Sequence, residues 1–288
     1  MLHFICNPLS GDSAGERACR AIEPLLREAP HAFHITRARG EATAIARQLT
    51  SSPDEADIIA MGGDGTLHEV LNGLRDPSRV RLGLIPCGSG NDFAATAGIP
   101  TDPARALSLI LTGAAKPTDY LDCAGTRGIN AIGTGIDVDI LRRYASMKRL
   151  KGSAAYLASL ILTVASYAPR RFSEVADGQT LPHEALIACA ANGKSFGGGI
   201  PIAPEAEIDD GLLDVVIVDG IKKPAIPGAF IKLMKRRVLT LKQTSFKRQT
   251  RLTVIADTPM PLQIDGEIYE NLPFDVRLIH GELRFYRP

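Results

Sequence analysis

Three short loops hold the residues of this sequence best suited to chemistry. The first is Gly62-Gly63-Asp64-Gly65-Thr66. Glycines let the backbone take positive φ and let a ligand approach the amides closely. Free N–H groups at a helix start favour a phosphate. Thr66 suits an N-cap, with Glu69 three residues on to complete a capping box. Asp64 is the odd residue, because a carboxylate beside phosphates is costly unless it holds Mg²⁺ or a water of its shell. Taken alone, Gly-Gly-Asp-Gly is as readily a tight turn. Two more loops shift the balance: Asn7-Pro8-Leu9-Ser10-Gly11 and Pro86-Cys87-Gly88-Ser89-Gly90-Asn91-Asp92-Phe93. The Walker pattern GxxxxGK[ST] is absent, and Gly88-Ser89-Gly90 lacks the third glycine of GxGxxG.

Two acidic clusters lie further along. Asp265 sits in Leu262-Gln-Ile-Asp-Gly-Glu-Ile268, a strand–turn–strand pattern. Asp-Gly is a strong hairpin signal, and a carboxylate on such a support also suits a general base. In Asp209-Asp210-Gly211 two adjacent carboxylates repel unless one meets a cation. His68 reads as a polar surface or cap-adjacent histidine rather than a catalytic one, and Cys87 as packing.

The elements that position these loops alternate in the first ~120 residues. Leu2–Cys6, Phe33–Thr36, Asp57–Met61 and Arg81–Ile85 read as strands, and 14–29, Glu41–Leu49 and Thr66–Leu74 as helices. This predicts a parallel sheet with helices on both faces and the three loops at the carboxyl ends of its strands, where ligands bind in such folds. From Leu121 the texture changes to Ala185–Ala191, Leu213–Val218, Leu252–Ile255, Phe274–Ile279 and Leu283–Tyr286, punctuated by Gly, Pro and Asp. That predicts a mostly antiparallel β-sandwich or flattened barrel with helical inserts near Ala154–Tyr167 and Ala229–Val238. The expected domains are 1–121, nucleotide-binding α/β, and 122–288, β-rich and substrate-binding, with the last strand able to return to the first domain.

The 288-residue length fits two domains, and the +1 net charge does not suggest nucleic acid. Five dispersed cysteines without a C-x-x-C pair argue against a disulfide framework or zinc site. The N-terminus is too soon broken for a signal peptide. The run Ser153–Ala168 is shorter than the ~20 residues of a spanning helix; it reads as a buried core helix or as the lining of an acyl-chain cleft. A cytoplasmic protein is the expectation. Between Gly220 and Ala256 there is no Asp or Glu, while Lys222, Lys223, Lys232, Lys235, Arg236, Arg237, Lys242, Lys247, Arg248 and Arg251 interleave with Phe230, Ile231, Leu233, Met234 and Val238. This is either a solvated helix face or a contact for anionic phospholipid. Few aromatics are present to stack bases, so nucleic acid is not expected.

Together these residues resemble the diacylglycerol kinase catalytic domain family, with its sphingosine kinases and bacterial lipid kinases, over the whole chain. The carriers are Asn7-Pro8-x-Ser10-Gly11, Gly62-Gly63-Asp64-Gly65-Thr66-x-x-Glu69-Val70-x-Asn72-Gly73, Gly88-Ser89-Gly90-Asn91-Asp92-Phe93-Ala94, Asn130-x-x-Gly133-x-Gly135, Ala191-Asn192-Gly193, Gly197-Gly198-Gly199, Asp209-Asp210-Gly211-x-Leu213-Asp214-Val215 and Asp265-Gly266-Glu267. The resemblance implies an ATP-dependent lipid kinase with an N-terminal domain like that of NAD kinases and phosphofructokinases. It implies transfer to a lipid hydroxyl, diacylglycerol by default, with a sphingoid or other lipid or a soluble acceptor such as NAD left open. A nucleotide- or lipid-binding regulator without turnover is the rival from another class, and no expected carboxylate is missing to favour it. It also implies Asp265 or Glu267 as general base. ATP contacts are implied for Asn7, Pro8, Ser10, Gly11, Thr36, Gly62, Gly63, Asp64, Gly65, Thr66, Glu69, Ser89, Asn91 and Asp92. Mg²⁺ is implied on Asp210 and the backbone oxygens of Glu207 and Leu212, and the lipid substrate is met at the inner face of the membrane. Asp12 departs from the glycine or basic residue usual after Ser-Gly; Arg17 is the candidate to replace it.

Overall fold

The computed structural model describes residues 1–26, 29–146, 158–159, 161–164, 166–176 and 179–288, which divide into two compact units. The first comprises Met1–Tyr120, Ile208–Gly211 and Ile279–Pro288. Its sheet runs β2 (His31–Ile35), β1 (Leu2–Cys6), β3 (Ala56–Gly62), β4 (Val80–Pro86) and the end of β15 (Asp275–Tyr286), with every neighbouring pair parallel. Strands of a covered parallel sheet read as near-continuous apolar runs, and Ile58, Ile59, Ala60 and Met61 of β3 are all buried. The helices are α1 (Ser10–Ile22), α2 (Glu41–Leu49), α3 (Asp64–Gly73), α4 (Asp92–Ala97) and α5 (Pro103–Thr112). Phe93 of α4 packs edge-on against Phe285 of β15 at 5.0 Å. The Asp57 carboxylate accepts from Arg81 at 2.6 and 2.8 Å and from the Tyr286 hydroxyl at 2.7 Å, which ties β3, β4 and β15 together.

The second unit comprises Leu121–Glu207 and Leu212–Leu278. All its pairings are antiparallel among the described residues. β9 (Gln179–Ala191) pairs with β7 (Ala131–Gly135), β8 (Arg170–Ala176) and β10 (Leu213–Asp219). β10 continues to β11 (Thr244–Gln249), β8 to β12 (Arg251–Ile255), and β7 to β13 (Leu262–Ile264) and β14 (Glu267–Tyr269). Successive strand residues face opposite sides, so Ile187, Cys189 and Ala191 of β9 join one apolar cluster while Ala188 and Ala190 join another. α6 (Ile136–Ser146) and α7 (Ile226–Met234) contribute to the first cluster. The strands β5 (Ala115–Cys123) and β6 (Thr126–Gly128) complete the chain order.

The differences from the sequence expectation have local causes. α6 was not anticipated. Phe274–Ile279 and Leu283–Tyr286 fall largely within one strand, Asp275–Tyr286, in which Gly281 takes φ +65. The second helical insert lies earlier, at Ile226–Met234. Of Ala154–Tyr167, residues 154–157, 160 and 165 lie outside the described residues; 158–159, 161–164 and 166 are helical.

Candidate active site

The three loops meet in the first unit. The Asn7 N–H donates to the Met61 carbonyl at 2.9 Å, and the Cys87 N–H to the Gly62 carbonyl at 2.8 Å. Their glycines are there first for mutual contact. A methyl on Gly88 would lie 2.4 Å from Cα of Gly63, and one on Gly11, at φ +57, would lie 2.0 Å from the Cys87 carbonyl oxygen. Asn91 closes the third loop, accepting from the Gly88 N–H at 2.9 Å and donating to its carbonyl at 2.7 Å. Gly11, Asp12 and Ser13 all take positive φ, so regular helix begins only at Ala14. Two non-glycine residues held there cost energy that the surrounding structure must sustain, a mark of functional loops. Arg17 donates to the Asp12 carbonyl at 3.0 Å and so folds onto this first loop.

Several residues act differently from expectation. Helix α3 starts at Asp64 with Gly63 as N-cap, so Thr66 lies inside it and no capping box forms. Glu69 instead accepts from the Gly40 N–H at 3.0 Å, bracing the start of α2. Thr66 is buried, with its hydroxyl 3.4 Å from the Asn7 side-chain amide. Asp64, expected to face a metal, accepts from the N–H groups of Asp92 at 3.1 Å and Phe93 at 3.2 Å. It thereby braces the third loop. His68 is buried rather than on the surface. Thr36 lies just past β2, its hydroxyl donating to the Cys6 carbonyl at 3.2 Å. Ser10 opens α1, and Ser89 is exposed. Pro8 anchors the same turn, its carbonyl accepting from the Glu16 N–H at 3.2 Å. Gly65 lies in the first turn of α3.

In the second unit, Asp265 and Gly266 connect β13 to β14 with φ of +50 and +90, positive at both positions as a primed hairpin turn requires. The Asp265 carboxylate accepts three backbone N–H groups, from Ile129 at 2.8 Å, Asn130 at 2.9 Å and Ala131 at 3.1 Å. Its own N–H donates to the Ala131 carbonyl at 3.0 Å. Gln263 accepts from the Gly266 N–H at 2.9 Å. The turn is therefore clamped on both sides, and Glu267 begins β14 directly after it, half-buried.

Comparison with known proteins decides what the loops belong to. Residues 1–123 match the diacylglycerol kinase catalytic domain, and residues 130–287 match the YegS C-terminal NAD kinase beta sandwich-like domain. A "Probable lipid kinase YegS-like" of Chromohalobacter salexigens is 36% identical over 97% of this chain and 92% of its own. The chain belongs to the YegS-like lipid kinase family. A "Diacylglycerol kinase" of Bacillus subtilis is 29% identical over 99% of this chain and 95% of its own. A crystal structure of a diacylglycerol kinase from Bacillus anthracis str. Sterne shares the fold, with a TM-score of 0.74 at 24% identity over 100% of this chain and 96% of that one.

In this family member the Asp209–Gly211 loop is held by groups the sequence reading passed over. Arg287 meets the Asp209 carboxylate at 2.6 Å, the cation its adjacent acids require. Buried Asp119 accepts from the Gly211 N–H at 2.8 Å and lies 2.8 Å from His280 Nδ1. No cluster of three or more His, Cys, Asp or Glu poised for a metal occurs among the described residues. The donors that the resemblance implies for Mg²⁺, the Asp210 carboxylate and the backbone oxygens of Glu207 and Leu212, are all oxygen, the chemistry a hard divalent cation takes alongside waters.

Two further features of the second unit escaped the sequence reading. One is a cavity of about 80 Å³ with an apolar lining that includes Ile140, Val164, Ile200, Val218, Phe230 and Leu233. The other is Asp137, 4% exposed in the first turn of α6. A methyl on Gly133 would lie 2.6 Å from its Oδ2 and 3.3 Å from Gln263 Nε2, so only glycine leaves room for this pair. Burial pushes the Asp137 carboxyl up from 3.8 to about 7, against the pull of the first amides of α6. The folded state thus holds a proton that the unfolded chain releases. Stability on this account is greatest below pH ~4, falls as pH rises toward ~7 and levels off above, a change on the order of 4 kcal/mol. Asp137→Asn is expected to flatten that slope in thermal melts between pH 5 and 8. Parallel curves for variant and parent would remove Asp137 as the cause.

Proposed function

We propose that this chain transfers the γ-phosphate of ATP to the hydroxyl of a lipid, with diacylglycerol as the first acceptor to test and phosphatidic acid as its product. The observation that carries the lipid acceptor is the apolar cavity of the second unit. A cavity walled by Leu, Ile, Val, Ala and Phe, with Asp137 its one ionisable lining residue among those described, suits an alkyl chain better than a dinucleotide such as NAD. The nucleotide is assigned to the converged loops of the first unit. The hydroxyls of Ser10 and Ser89 and the backbone N–H groups at Gly63 and the start of α3 are the donors assigned to its phosphates, with Arg17, held on the first loop by the Asp12 carbonyl, as a nearby cation.

In the transfer, the acceptor oxygen forms a bond to the γ-phosphorus as the bond from that phosphorus to the β–γ bridging oxygen breaks, releasing ADP. The hydroxyl proton passes to a carboxylate, then to water. Glu267 is assigned this role. Asp265 has three of its roughly four lone-pair positions taken by backbone N–H groups, which makes it the anchor of the turn. Mg²⁺ bound through Asp210 and the backbone oxygens of Glu207 and Leu212 would supply positive charge and order to that loop.

The test supplies labelled ATP and Mg²⁺ with diacylglycerol, a sphingoid base, NAD or no acceptor. Labelled phosphatidic acid is the expected product. Label in NADP alone, or no labelled lipid with any acceptor, overturns the assignment.

A further inference from the structure

Among the ten cations of the acid-free basic segment, the fold sets apart two groups. Three of its cations sit against acids of their own unit: Lys247 on buried Glu174 at 2.8 Å, Arg248 on buried Asp214 at 3.1 Å, and Arg251 on Asp275 at 2.6 Å. Four others, Lys232, Lys235, Arg236 and Arg237, are exposed around the end of α7, the last three of them consecutive. Among them Ile231 is 55% exposed and Met234 48%. Spaced three apart, these two lie on one side of the helix. A second stripe of the same helix, Ile226, Ala229, Phe230 and Leu233, lines the apolar cavity. α7 therefore has one apolar stripe on the cavity and a second, smaller one in water, rimmed by cations.

The turn that ends α7 adds an independent sign. The Arg236 N–H donates to Leu233 at 2.9 Å and the Arg237 N–H to Lys232 at 2.8 Å, the paired bonds of a Schellman cap. That cap places its left-handed residue at Arg236, with φ +58. Glycine suits the position without strain and a branched-off side chain does not. An exposed cation is kept at a site where its backbone is strained. Attraction to the negative end of the helix explains some gain for any basic residue there, but not two large apolar side chains left in water.

We propose that the outer face of α7 and the turn after it dock on an anionic lipid bilayer, with Ile231 and Met234 entering the acyl region and Lys232, Lys235, Arg236 and Arg237 meeting the phosphate-bearing headgroups. An amphipathic helix rich in Lys and Arg on its polar side binds in this way. The docking deepens the lipid-kinase reading, since α7 then stands between the bilayer and the cavity; the binding itself is measurable without turnover.

The experiment is co-sedimentation of the full chain with vesicles of phosphatidylcholine alone or with phosphatidylglycerol added, at low and high salt. Binding is expected to need the anionic lipid and to weaken with salt. Neutralising one headgroup-facing cation should lower partitioning roughly fivefold, so Arg236→Gln with Arg237→Gln should lower it roughly thirtyfold. Ile231→Ser with Met234→Ser should weaken binding at every salt concentration. Arg236→Gly separates the two roles of that residue: it should raise the melting temperature while lowering vesicle binding. Equal binding to neutral and anionic vesicles, salt-insensitive binding, or unchanged binding in the Arg236/Arg237 variant overturns the docking. Retention of a DNA duplex without vesicle binding overturns it in favour of nucleic acid. Vesicle binding with no turnover of any lipid would instead sink the kinase reading and leave the docking intact. A water-dispersed short-chain acceptor should be phosphorylated equally by parent and by the Arg236/Arg237 variant, whereas vesicle-embedded acceptor should not.

Discussion

Glu267→Gln is expected to lower kcat by roughly 10²- to 10⁴-fold, with ATP affinity and melting temperature close to those of the parent. The substitution keeps the shape of the side chain and removes its capacity to take a proton. Asp265→Asn should behave differently. Its carboxylate serves three backbone N–H donors from Ile129, Asn130 and Ala131. An amide presents an NH₂ group to at least one of them, leaving donors facing a donor. The cost is about 1–3 kcal/mol for a buried polar group left unsatisfied, so the melting temperature should fall together with turnover. The pair of variants separates base from anchor. A well-folded, inactive Asp265→Asn beside an active Glu267→Gln would reverse the assignment. A pH–rate profile adds a second check: the acidic limb should disappear in Glu267→Gln if that carboxylate takes the proton.

Gly88→Ala should strike the nucleotide loops. The added methyl would lie 2.4 Å from Cα of Gly63 and 2.9 Å from Oδ1 of Asn91, and the first of these is backbone that cannot swing aside. Overpacking of this kind costs typically about 1–3 kcal/mol. A shift of about 1 Å in a positioning loop can cost roughly 10²-fold in rate. We expect kcat/KM for ATP to fall by roughly that factor and the melting temperature to drop with it. Gly228→Ala is the control. Nothing lies within 4 Å of a methyl there and the residue is inside α7, so alanine should leave ATP kinetics unchanged and stabilise by up to about 1 kcal/mol. Normal ATP binding by Gly88→Ala would show that contact between the first-unit loops is not what shapes the nucleotide site.

Much of the first unit was legible because local pattern and tertiary placement agree. β3 is a run of apolar residues between a polar segment and glycines, and only a strand covered on both faces tolerates that run. Glu41–Leu49 carries helical spacing after Gly40, and the helix has those bounds. Elements with mixed signals were read less well. Helix α6 begins with Ile-Asp-Val-Asp, an alternation that mimics a strand; it is helical because Ile136 and Ile140 both pack into the first apolar cluster. The bend through Asp12 and Ser13 has little propensity signal: Asp tolerates positive φ better than most residues, but Ser does not favour it. It follows the close approach of Gly11 to the Cys87 carbonyl in another loop.

The same division holds for the site. The residue types and their order within each loop were enough to point to phosphate chemistry at Gly62-Gly63-Asp64-Gly65-Thr66, and to a carboxylate turn at Asp265-Gly266-Glu267. What each polar group does was left to the tertiary structure. Asp64 caps the amides of the third loop, Glu69 holds the start of α2, Arg287 answers Asp209, and Asp265 is held by three backbone N–H groups. The reason is physical. Apolar periodicity is a property of neighbours along the chain, so it is written locally. A carboxylate takes whichever donors the fold brings within about 3 Å, and those donors lie 28 to 136 residues away for Asp64, Glu69, Asp209 and Asp265.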